Sequence, residues 1–269
     1  MQGEATGYAH DRPLAGQHAV VTGASRGIGA ASARRLAELG ADVTLVGRVA
    51  GALEEIIASL PQGGPRYFAH AADVSDEAVV ERAFAAAAEA LGAPSILVTS
   101  AGIGKSTAFH RETTAEWREI LGVNLDGVFY CVKQVYAGMR ERGYGRIVNV
   151  ASLASLEGRA YMVAYCASKH GVLGFTRALA LEGAKAGVTV NAVCPGWTDT
   201  KMVWDAIDNV VEKTGRTHQQ TRDELAGLNP HGRFVTPAEV AETVAWLCLP
   251  ASGSVNGQAI AVSGGPVTG

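Results

Sequence analysis

Short apolar runs alternate with longer helical runs along most of the chain. Seven segments have the length and apolar content of buried strands, and they span 18–22, 42–46, 66–71, 95–99, 145–152, 188–193 and 258–262. Between them lie stretches rich in Ala, Leu and Val, such as 161–185, whose composition favours helix. Strands that alternate with helices are typical of the α/β class, to which we expect this chain to belong.

The composition describes a globular protein and excludes several functions. The chain has 269 residues, enough for one large α/β domain or two small ones, and 48% are hydrophobic while 18% are charged. A net charge of −3 provides no basic surface, so we expect no nucleic-acid partner. No apolar run in the sequence reaches the roughly 18 residues that span a membrane, so we expect no membrane partner.

The amino-terminal segment and the cysteines indicate a cytoplasmic protein. Residues 1–12 are polar, lack the apolar core of a signal peptide, and are expected to form a flexible leader. The cysteines are scattered without a Cys-x-x-Cys pair, which indicates reduced thiols rather than disulfides or a zinc site. No cluster of His, Cys and carboxylate residues has the spacing of metal ligands, so we expect no metal.

A glycine-rich segment directly follows the first predicted strand and precedes an Ala-rich helical run. Glycines at such a turn let the backbone approach a pyrophosphate, and the first N–H groups of the helix face it with a positive dipole end. The residues expected to bind the phosphates of a dinucleotide are Gly23, Ser25, Arg26, Gly27, Ile28 and Gly29. The alternative interpretation is a tight turn that holds no ligand.

The end of the second predicted strand indicates which dinucleotide is bound. An acidic residue there hydrogen-bonds the ribose hydroxyls of NAD, but this chain has Arg48 at that position and Arg26 in the glycine segment. Guanidinium groups bind phosphate through paired, charge-assisted hydrogen bonds, which suits the 2′-phosphate of NADP. The sequence therefore predicts NADP(H) as the cofactor; the alternative is that both arginines are solvated surface residues.

The helical run 161–185 carries Tyr165 and Lys169, and Ser152 ends the predicted strand before it. Residues four apart lie one turn apart on the same helix face, so the phenol and the ammonium can share one small space. A neighbouring cation lowers the pKa of a phenol, which suits a general acid–base. Alone, Tyr-x-x-x-Lys is more typical of a surface pair, and a serine can simply cap a loop. Ser152, however, follows the carboxyl end of a strand, where ligands bind in open α/β sheets.

Together these features resemble the short-chain dehydrogenase/reductase family. The glycine spacing Thr-Gly-x-x-x-Gly-x-Gly matches that family's pattern, as do Ser152, Tyr165, Lys169 and Asn124, and the resemblance covers roughly residues 13–265. The pattern is most similar to 3-ketoacyl thioester reductases and to ketoreductases of aromatic polyketide pathways.

The resemblance implies an architecture for the whole chain. It implies a single-domain Rossmann fold at 13–269, in which a doubly wound, mostly parallel seven-stranded sheet has helices on both faces. Because relatives in this family are usually tetramers, it also implies a homotetramer that pairs the long helices after the fourth and fifth strands.

Further residues expected to contact the cofactor follow the third, fourth and sixth predicted strands; they are Asp73, Val74, Ser100, Ala101, Gly102, Pro195, Gly196 and Thr198. The resemblance places the first two at the adenine ring and the last three at the nicotinamide carboxamide. In this chain Thr99-Ser100 replaces the two asparagines that are usual in the family, so hydroxyl groups of shorter reach stand at this loop.

The resemblance also implies a reaction, the transfer of a hydride between NADP(H) and a carbonyl. Ser152 would hydrogen-bond the carbonyl oxygen, and Tyr165 would protonate the developing alkoxide. Lys169 would lower the pKa of Tyr165 and contact the nicotinamide ribose. Asn124, which lies in a helical run at 113–139, would link Lys169 to a water chain; the alternative is a buried structural amide.

The substrate side of the site is expected to be mainly apolar. Its expected residues are Ile103, Ser152, Leu153, Ala154, Tyr161, Tyr165, Trp197 and Met202, and an amphipathic segment at 199–230 would form a lid. Such a pocket suits an acyl chain or a ring better than a sugar, so we expect a small carbonyl or alcohol substrate, carried as a thioester or free. The alternatives are a secondary-alcohol dehydrogenase for an aryl or cyclic alcohol and, in another class, a catalytically silent redox sensor, which would lack Tyr165 or Lys169.

Overall fold

A computed structural model describes residues 12–266, which form one parallel sheet covered by helices. The strands β1 to β7 span His18–Thr22, Asp42–Gly47, Tyr67–Ala71, Ile96–Thr99, Gly145–Val150, Val188–Pro195 and Ala259–Val262. Their order across the sheet is β3-β2-β1-β4-β5-β6-β7, and all neighbouring strands are parallel. The expected Rossmann fold is confirmed, although the sheet is parallel throughout rather than mostly parallel. Of the leader expected at 1–12, only Arg12 lies within the described residues.

Helices α1 to α9 connect and cover the strands. They span Gly27–Glu38, Ala50–Ala58, Glu77–Leu91, Thr114–Leu121, Gly127–Glu141, Val163–Gly183, Lys201–Thr214, His218–Gly227 and Pro237–Cys248. Helices α1, α2 and α9 pack on one face of the sheet, and α3, α5 and α6 pack on the other. Between residues 12 and 266, no helix is long and apolar enough to cross a membrane.

Each face of the sheet has its own apolar core. In β1, Val20 points into the core under α3, α5 and α6, while Ala19 and Val21 point into the core under α1, α2 and α9. Strands buried on both faces are continuous apolar runs, which explains the pattern of the sequence. A third, smaller cluster, which we call the lid core, contains Val203, Ile207, Ala226 and Phe234 and lies between α7 and α8.

The helical run expected at 113–139 is divided at its centre. Helices α4 and α5 are joined by a π-helical segment, Gly122–Asp126, in which the Gly127 N–H donates to the Gly122 carbonyl. A π-helical turn adds a residue to the helix and often occurs at functional positions. This segment contains Asn124, one of the residues of the predicted site.

A buried histidine lies at the start of β1, at the edge of the sheet opposite the carboxyl ends of the strands. His18 is only 4% exposed, its Nδ1 lies 2.6 Å from the Gly92 carbonyl oxygen, and its Nε2 lies 2.8 Å from the Thr44 hydroxyl. Because a carbonyl can only accept, Nδ1 carries the proton and Nε2 of the neutral ring accepts from Thr44. Burial lowers the pKa of His18 below its ordinary value of 6.5.

This histidine makes the protein less stable at mildly acidic pH. The unfolded chain binds a proton at His18 near pH 6.5, but the folded chain binds it only at lower pH, so the free energy of unfolding falls as pH drops below that value. We expect urea unfolding at pH 7.5 and 5.5 to show this fall, and His18→Gln to reduce it. His110→Gln, at an exposed position of the short 3₁₀ turn Phe109–Arg111, serves as the control. An equal fall in His18→Gln and the parent protein would contradict the prediction.

Candidate active site

The candidate site lies at the carboxyl ends of the central strands, where the sheet order reverses between β1 and β4. Open α/β sheets bind ligands at this edge. The glycine segment follows β1, the Ser100–Gly102 loop follows β4, Ser152 follows β5 by two residues, and the segment containing Thr198 follows β6. The fold thus brings together the predicted cofactor and catalytic residues, which the sequence distributes from position 23 to position 198.

The glycine segment forms a tight cradle at the start of α1. Gly23 and Gly27 have φ values of +64° and +57°, which favour glycine. A Cβ on Gly29 would lie 2.2 Å from the Gly23 carbonyl oxygen, and one on Gly23 would lie 2.7 Å from the Ala101 nitrogen. The side chain of Arg26 caps none of the first N–H groups of α1, and the first turn contains no acidic residue. Those groups can therefore bind a phosphate.

The two arginines predicted to bind a 2′-phosphate are exposed to solvent. Neither Arg26 nor Arg48 forms an ion pair with any residue between 12 and 266. Asp73 accepts hydrogen bonds from the Ser75 N–H at 2.9 Å and the Ser75 hydroxyl at 2.7 Å. These bonds, and to a smaller extent the charge of Arg48, lower the pKa of the Asp73 carboxyl. The guanidinium groups and the cradle together fit a phosphorylated dinucleotide.

The loop after β4 is held by a residue that the sequence analysis missed. The Thr22 hydroxyl, at the end of β1, accepts from the Ser100 N–H at 3.1 Å and from the Ala101 N–H at 3.2 Å. This loop is therefore fixed through its backbone, and the side chain of Ser100 is not needed to hold it. A Cβ on Gly102 would lie 3.4 Å from Asn124 Oδ1 and 3.7 Å from Lys169 Nζ, so this glycine borders the catalytic residues.

The replacement of the family's asparagine by Thr99 is accommodated by a buried hydrogen-bond chain. The Thr99 hydroxyl donates to Asn149 Oδ1 at 2.8 Å, and Asn149 Nδ2 donates to the Thr176 hydroxyl at 2.9 Å. All three residues are almost fully buried. The chain connects β4, β5 and α6 directly beneath the site. Its sequence signal is the polar Asn149 inside an otherwise apolar strand, whereas Thr22 and Thr176 give no such signal.

Asn124 is fully buried and connects two parts of the site. Its Oδ1 accepts from the Ile103 N–H at 2.9 Å, and its Nδ2 donates to the Ile103 carbonyl at 2.9 Å and to the Ser168 hydroxyl at 3.1 Å. The Ser168 hydroxyl in turn donates to the Tyr165 carbonyl at 2.7 Å. The side-chain amide thus positions the loop after β4 relative to α6, which agrees with the alternative that Asn124 is a buried structural amide. The water chain expected at Asn124 stays a prediction.

Tyr165 and Lys169 lie one turn apart on α6 and are both buried. Lys169 Nζ donates to the Val150 carbonyl at 2.9 Å and lies 5.8 Å from the centre of the Tyr165 ring. Burial lowers the pKa of Lys169 to about 8. Burial also raises the pKa of Tyr165, and a hydrogen bond with Ser152 opposes that rise.

The expected lowering of the Tyr165 pKa is therefore wrong, because its pKa is raised. Desolvation of the phenol dominates, and the Lys169 ammonium is directed toward the end of β5 rather than toward the phenol oxygen. Tyr165 is consequently protonated at neutral pH and is ready to act as an acid.

Ser152 is oriented by the short 3₁₀ turn that follows it. Its hydroxyl oxygen accepts from the Ala154 N–H at 3.1 Å, and its own N–H donates to the Ser155 hydroxyl at 3.2 Å. Because the Ala154 bond uses a lone pair, the Ser152 proton stays available to donate to Tyr165 or to a carbonyl oxygen. Leu153 and Ala154 are buried, and they support this turn from the core side.

Three further residues expected at the substrate, Met202, Tyr161 and Trp197, have different surroundings. Met202 of α7 faces the loop after β4, since a Cβ on Gly104 would lie 3.3 Å from Met202 Sδ and 3.7 Å from Tyr165 Cε2. Tyr161 is 64% exposed and has a φ of +66°, and its carbonyl accepts from the Thr107 N–H at 2.9 Å. Trp197 packs against the lid core. The structure thus places Met202 at Tyr165, whereas Tyr161 lies at the surface and Trp197 is partly used in packing.

The segment after β6 has an internally bonded conformation. The Gly196 N–H donates to the Val262 carbonyl at 3.0 Å, and the Thr198 hydroxyl donates to the Gly196 carbonyl at 3.0 Å. Val74, expected at the adenine ring, has its side chain buried against Gly127. A search of residues 12–266 finds no group of three or more His, Cys, Asp or Glu side chains that could hold a metal ion.

Comparison with known proteins identifies the family. The model of the family described as short chain dehydrogenase matches residues 17–210 of the chain. The match includes the glycine cradle, Asn124, Ser152, Tyr165, Lys169 and the segment after β6. This chain belongs to the short-chain dehydrogenase family of oxidoreductases.

Individual relatives are similar over nearly their full lengths. The acetoacetyl-CoA reductase of Rhizobium meliloti is 38% identical, over 92% of this chain and 97% of that protein. The cis-4-hydroxycyclohexanecarboxylate dehydrogenase of Sinomonas cyclohexanicum is 39% identical, over 92% of this chain and 95% of the relative. The crystal structure of a variant actinorhodin polyketide ketoreductase with NADPH has a TM-score of 0.89 and 39% identity, over 93% of this chain and 96% of that one. The likeness to ketoacyl and polyketide reductases expected from the motifs is confirmed.

Proposed function

We propose that this chain is an NADP(H)-dependent ketoreductase that interconverts a ketone and a secondary alcohol. The observation that carries the proposal is the buried pair Tyr165 and Lys169, one turn apart on α6, with Lys169 Nζ bonded to the Val150 carbonyl two residues before Ser152. The names of the relatives support it, because they include an acetoacetyl-CoA reductase and a polyketide ketoreductase with NADPH.

The residues at the glycine cradle and at the ends of β2 and β6 would hold the cofactor. The N–H groups at the start of α1 would bind the pyrophosphate, and Arg26 and Arg48 would bind a 2′-phosphate. Asp73 and Val74 would border the adenine ring, and the segment Pro195, Gly196 and Thr198 would border the nicotinamide. NADPH supplies the hydride in the reducing direction.

The chain's own residues would handle the carbonyl oxygen and its proton. Ser152 would donate a hydrogen bond to the oxygen, and Tyr165, protonated at neutral pH, would donate its proton as negative charge develops there. Lys169 would contact the nicotinamide ribose and, when charged, stabilise the tyrosinate that remains. Asn124 would complete a path for water to return a proton from solvent.

A 3-ketoacyl thioester or polyketide ketone is the preferred substrate class. Gly104 and Met202 lie beside Tyr165, and such a small and apolar lining suits an acyl chain or ring. A cyclic secondary alcohol is the second candidate, because a dehydrogenase of a hydroxycyclohexane carboxylate is similarly close in sequence. A catalytically silent redox sensor is disfavoured, since Ser152, Tyr165 and Lys169 are all present.

Residues 199–230 form the lid in this proposal. Helices α7 and α8 share the lid core, and α7 places Met202 beside Gly104 and Tyr165. The segment before α7 also reaches the cofactor cradle, since a Cβ on Gly27 would lie 3.3 Å from Thr200 Cγ2. A lid in this position would exclude water from both the cofactor and the ketone.

A homotetramer is also part of the proposal. Large apolar side chains are exposed on the helices expected to pair, with Phe129 of α5 47% exposed and Leu181 of α6 82% exposed. Burial of such side chains against a second copy would remove apolar surface from water. Light scattering after size exclusion should give the mass of four chains, and Leu181→Glu should shift the protein to smaller species. A monomeric parent protein would refute this assembly.

The reaction is tested by NADPH oxidation with three ketones, acetoacetyl-CoA, a decalone and an aryl ketone. We expect Tyr165→Phe to lower kcat by about 10²–10⁴-fold because it removes the proton donor. Tyr144→Phe, which removes a buried hydroxyl with no hydrogen-bond partner among residues 12–266, just before β5, is the matched control and should keep activity. The ketone that is reduced with the highest kcat/KM shows whether the substrate belongs to the thioester class or to the cyclic class. Equal activity of Tyr165→Phe and the parent protein would contradict the mechanism.

The cofactor preference is tested at the two exposed arginines. Replacing Arg26 and Arg48 by Ala should raise the Kd for NADPH by about 10–100-fold, because charge-assisted bonds to the 2′-phosphate are lost. The affinity for NADH should change little. Arg82→Ala on α3, whose side chain is exposed, is the matched control. The measurement is a titration of nicotinamide fluorescence for each variant. A parent protein that binds NADH more tightly than NADPH would show this assignment to be wrong.

A further inference from the structure

The lid is joined to the sheet at a narrow base, where residues 197–199 lie beside residues 229–235. The Asp199 N–H donates to the Val235 carbonyl at 2.8 Å, and the Val235 N–H donates to the Trp197 carbonyl at 2.9 Å. Thr198 and Val235 form an isolated parallel bridge. The segment entering the lid is therefore bonded to the segment that leaves it.

Asn229 lies at the centre of this base and is only 1% exposed. Its Oδ1 accepts from the Trp197 N–H at 3.0 Å, while its Nδ2 donates to the Trp197 carbonyl at 2.8 Å and to the Arg233 carbonyl at 2.7 Å. Both donor hydrogens and the oxygen of the amide are thus used. The amide therefore bonds both the N–H and the carbonyl of Trp197.

The neighbouring Gly196 is required by this contact. A Cβ at Gly196 would lie 2.3 Å from Asn229 Oδ1, so the amide occupies the space that any side chain would need. We call the hydrogen bonds of the Asn229 amide to Trp197 and Arg233 the clamp. Arg233 is itself held, because its guanidinium donates to Glu239 of α9 at 2.9 Å. Asn229 therefore links the segment after β6 to a rigid part of the fold.

We propose that Asn229 is a positioning residue that holds the Gly196–Thr198 backbone in the conformation that binds the nicotinamide end of the cofactor. This inference rests on the proposed function, which places that backbone at the cofactor. Asn229 does not touch the reacting atoms. The lid core and the backbone bonds at Val235 already connect the lid ends, so the specific effect of the amide is to fix the peptide groups on either side of Trp197.

The proposal is tested with Asn229→Ala by two measurements that do not depend on turnover. The first is hydrogen exchange of the peptide covering 195–200 in the protein without cofactor, where the Trp197 N–H should lose its acceptor and exchange faster. The second is the Kd for NADPH from nicotinamide fluorescence. Loss of the buried hydrogen bonds should raise that Kd by about tenfold.

A matched control comes from the lid itself. Asn209 lies on α7, and its side chain has no hydrogen bond with any residue that the structure describes. Asn209→Ala should leave both the exchange of 195–200 and the NADPH affinity unchanged. Gly196→Ala provides a second approach, because its new methyl group would displace the Asn229 amide, and it should weaken NADPH binding in the same way. It replaces Asn229→Ala if that variant fails to fold.

The outcomes separate this proposal from the proposed function. Faster exchange together with weaker NADPH binding supports the clamp. Unchanged exchange overturns it, and so does faster exchange with a Kd within about twofold of the parent value, because Asn229 would then be merely structural. If the parent protein binds no NADPH, the proposed cofactor is wrong and the positioning role is overturned with it. Neither measurement needs turnover of a ketone, so the two results decide the role of Asn229 even if the proposed reaction fails.

Discussion

The hydrogen bond from Lys169 Nζ to the Val150 carbonyl sets the geometry on which the site depends. A buried ammonium is costly unless it is hydrogen-bonded, so this contact ties α6 firmly to the carboxyl end of β5. Tyr165 lies one turn before Lys169, and Ser152 follows Val150 by two residues. The bond therefore sets the spacing of all three polar groups, and a displacement of α6 would separate the phenol from the serine.

Much of the fold could be predicted because strands buried on both faces leave a continuous apolar run in the sequence. The predicted strand 18–22 agrees with β1, and the strand predicted at 95–99 differs from β4 by one residue. Local patterns do not define the sheet order, and the resemblance to a known family implied only a doubly wound, mostly parallel sheet of seven strands. The π-helical segment at Asn124 could not be foreseen, since its contacts come from Ile103 and Ser168 in other elements.

The candidate site was predicted in its residue types but not in its partners. Spacing on a helix places Tyr165 near Lys169, yet the direction of the pKa shift depends on burial, which the sequence does not contain. The roles of Thr22, Asn149 and Asn229 could not be predicted for the same reason, because each residue acts through a hydrogen bond to a distant part of the chain. The replacement of both family asparagines by Thr99-Ser100 illustrates the point. The backbone bonds to Thr22 and the Asn149 chain now hold this loop, and neither is visible in the motif itself.

The separate lid core has a consequence for how this enzyme can change. Val203, Ile207, Ala226 and Phe234 pack with one another, apart from the two cores that hold the sheet. Mutations of these four side chains therefore act on a small local cluster, while two other cores hold the sheet. Sequence changes in this cluster can therefore accumulate with little loss of stability in the sheet.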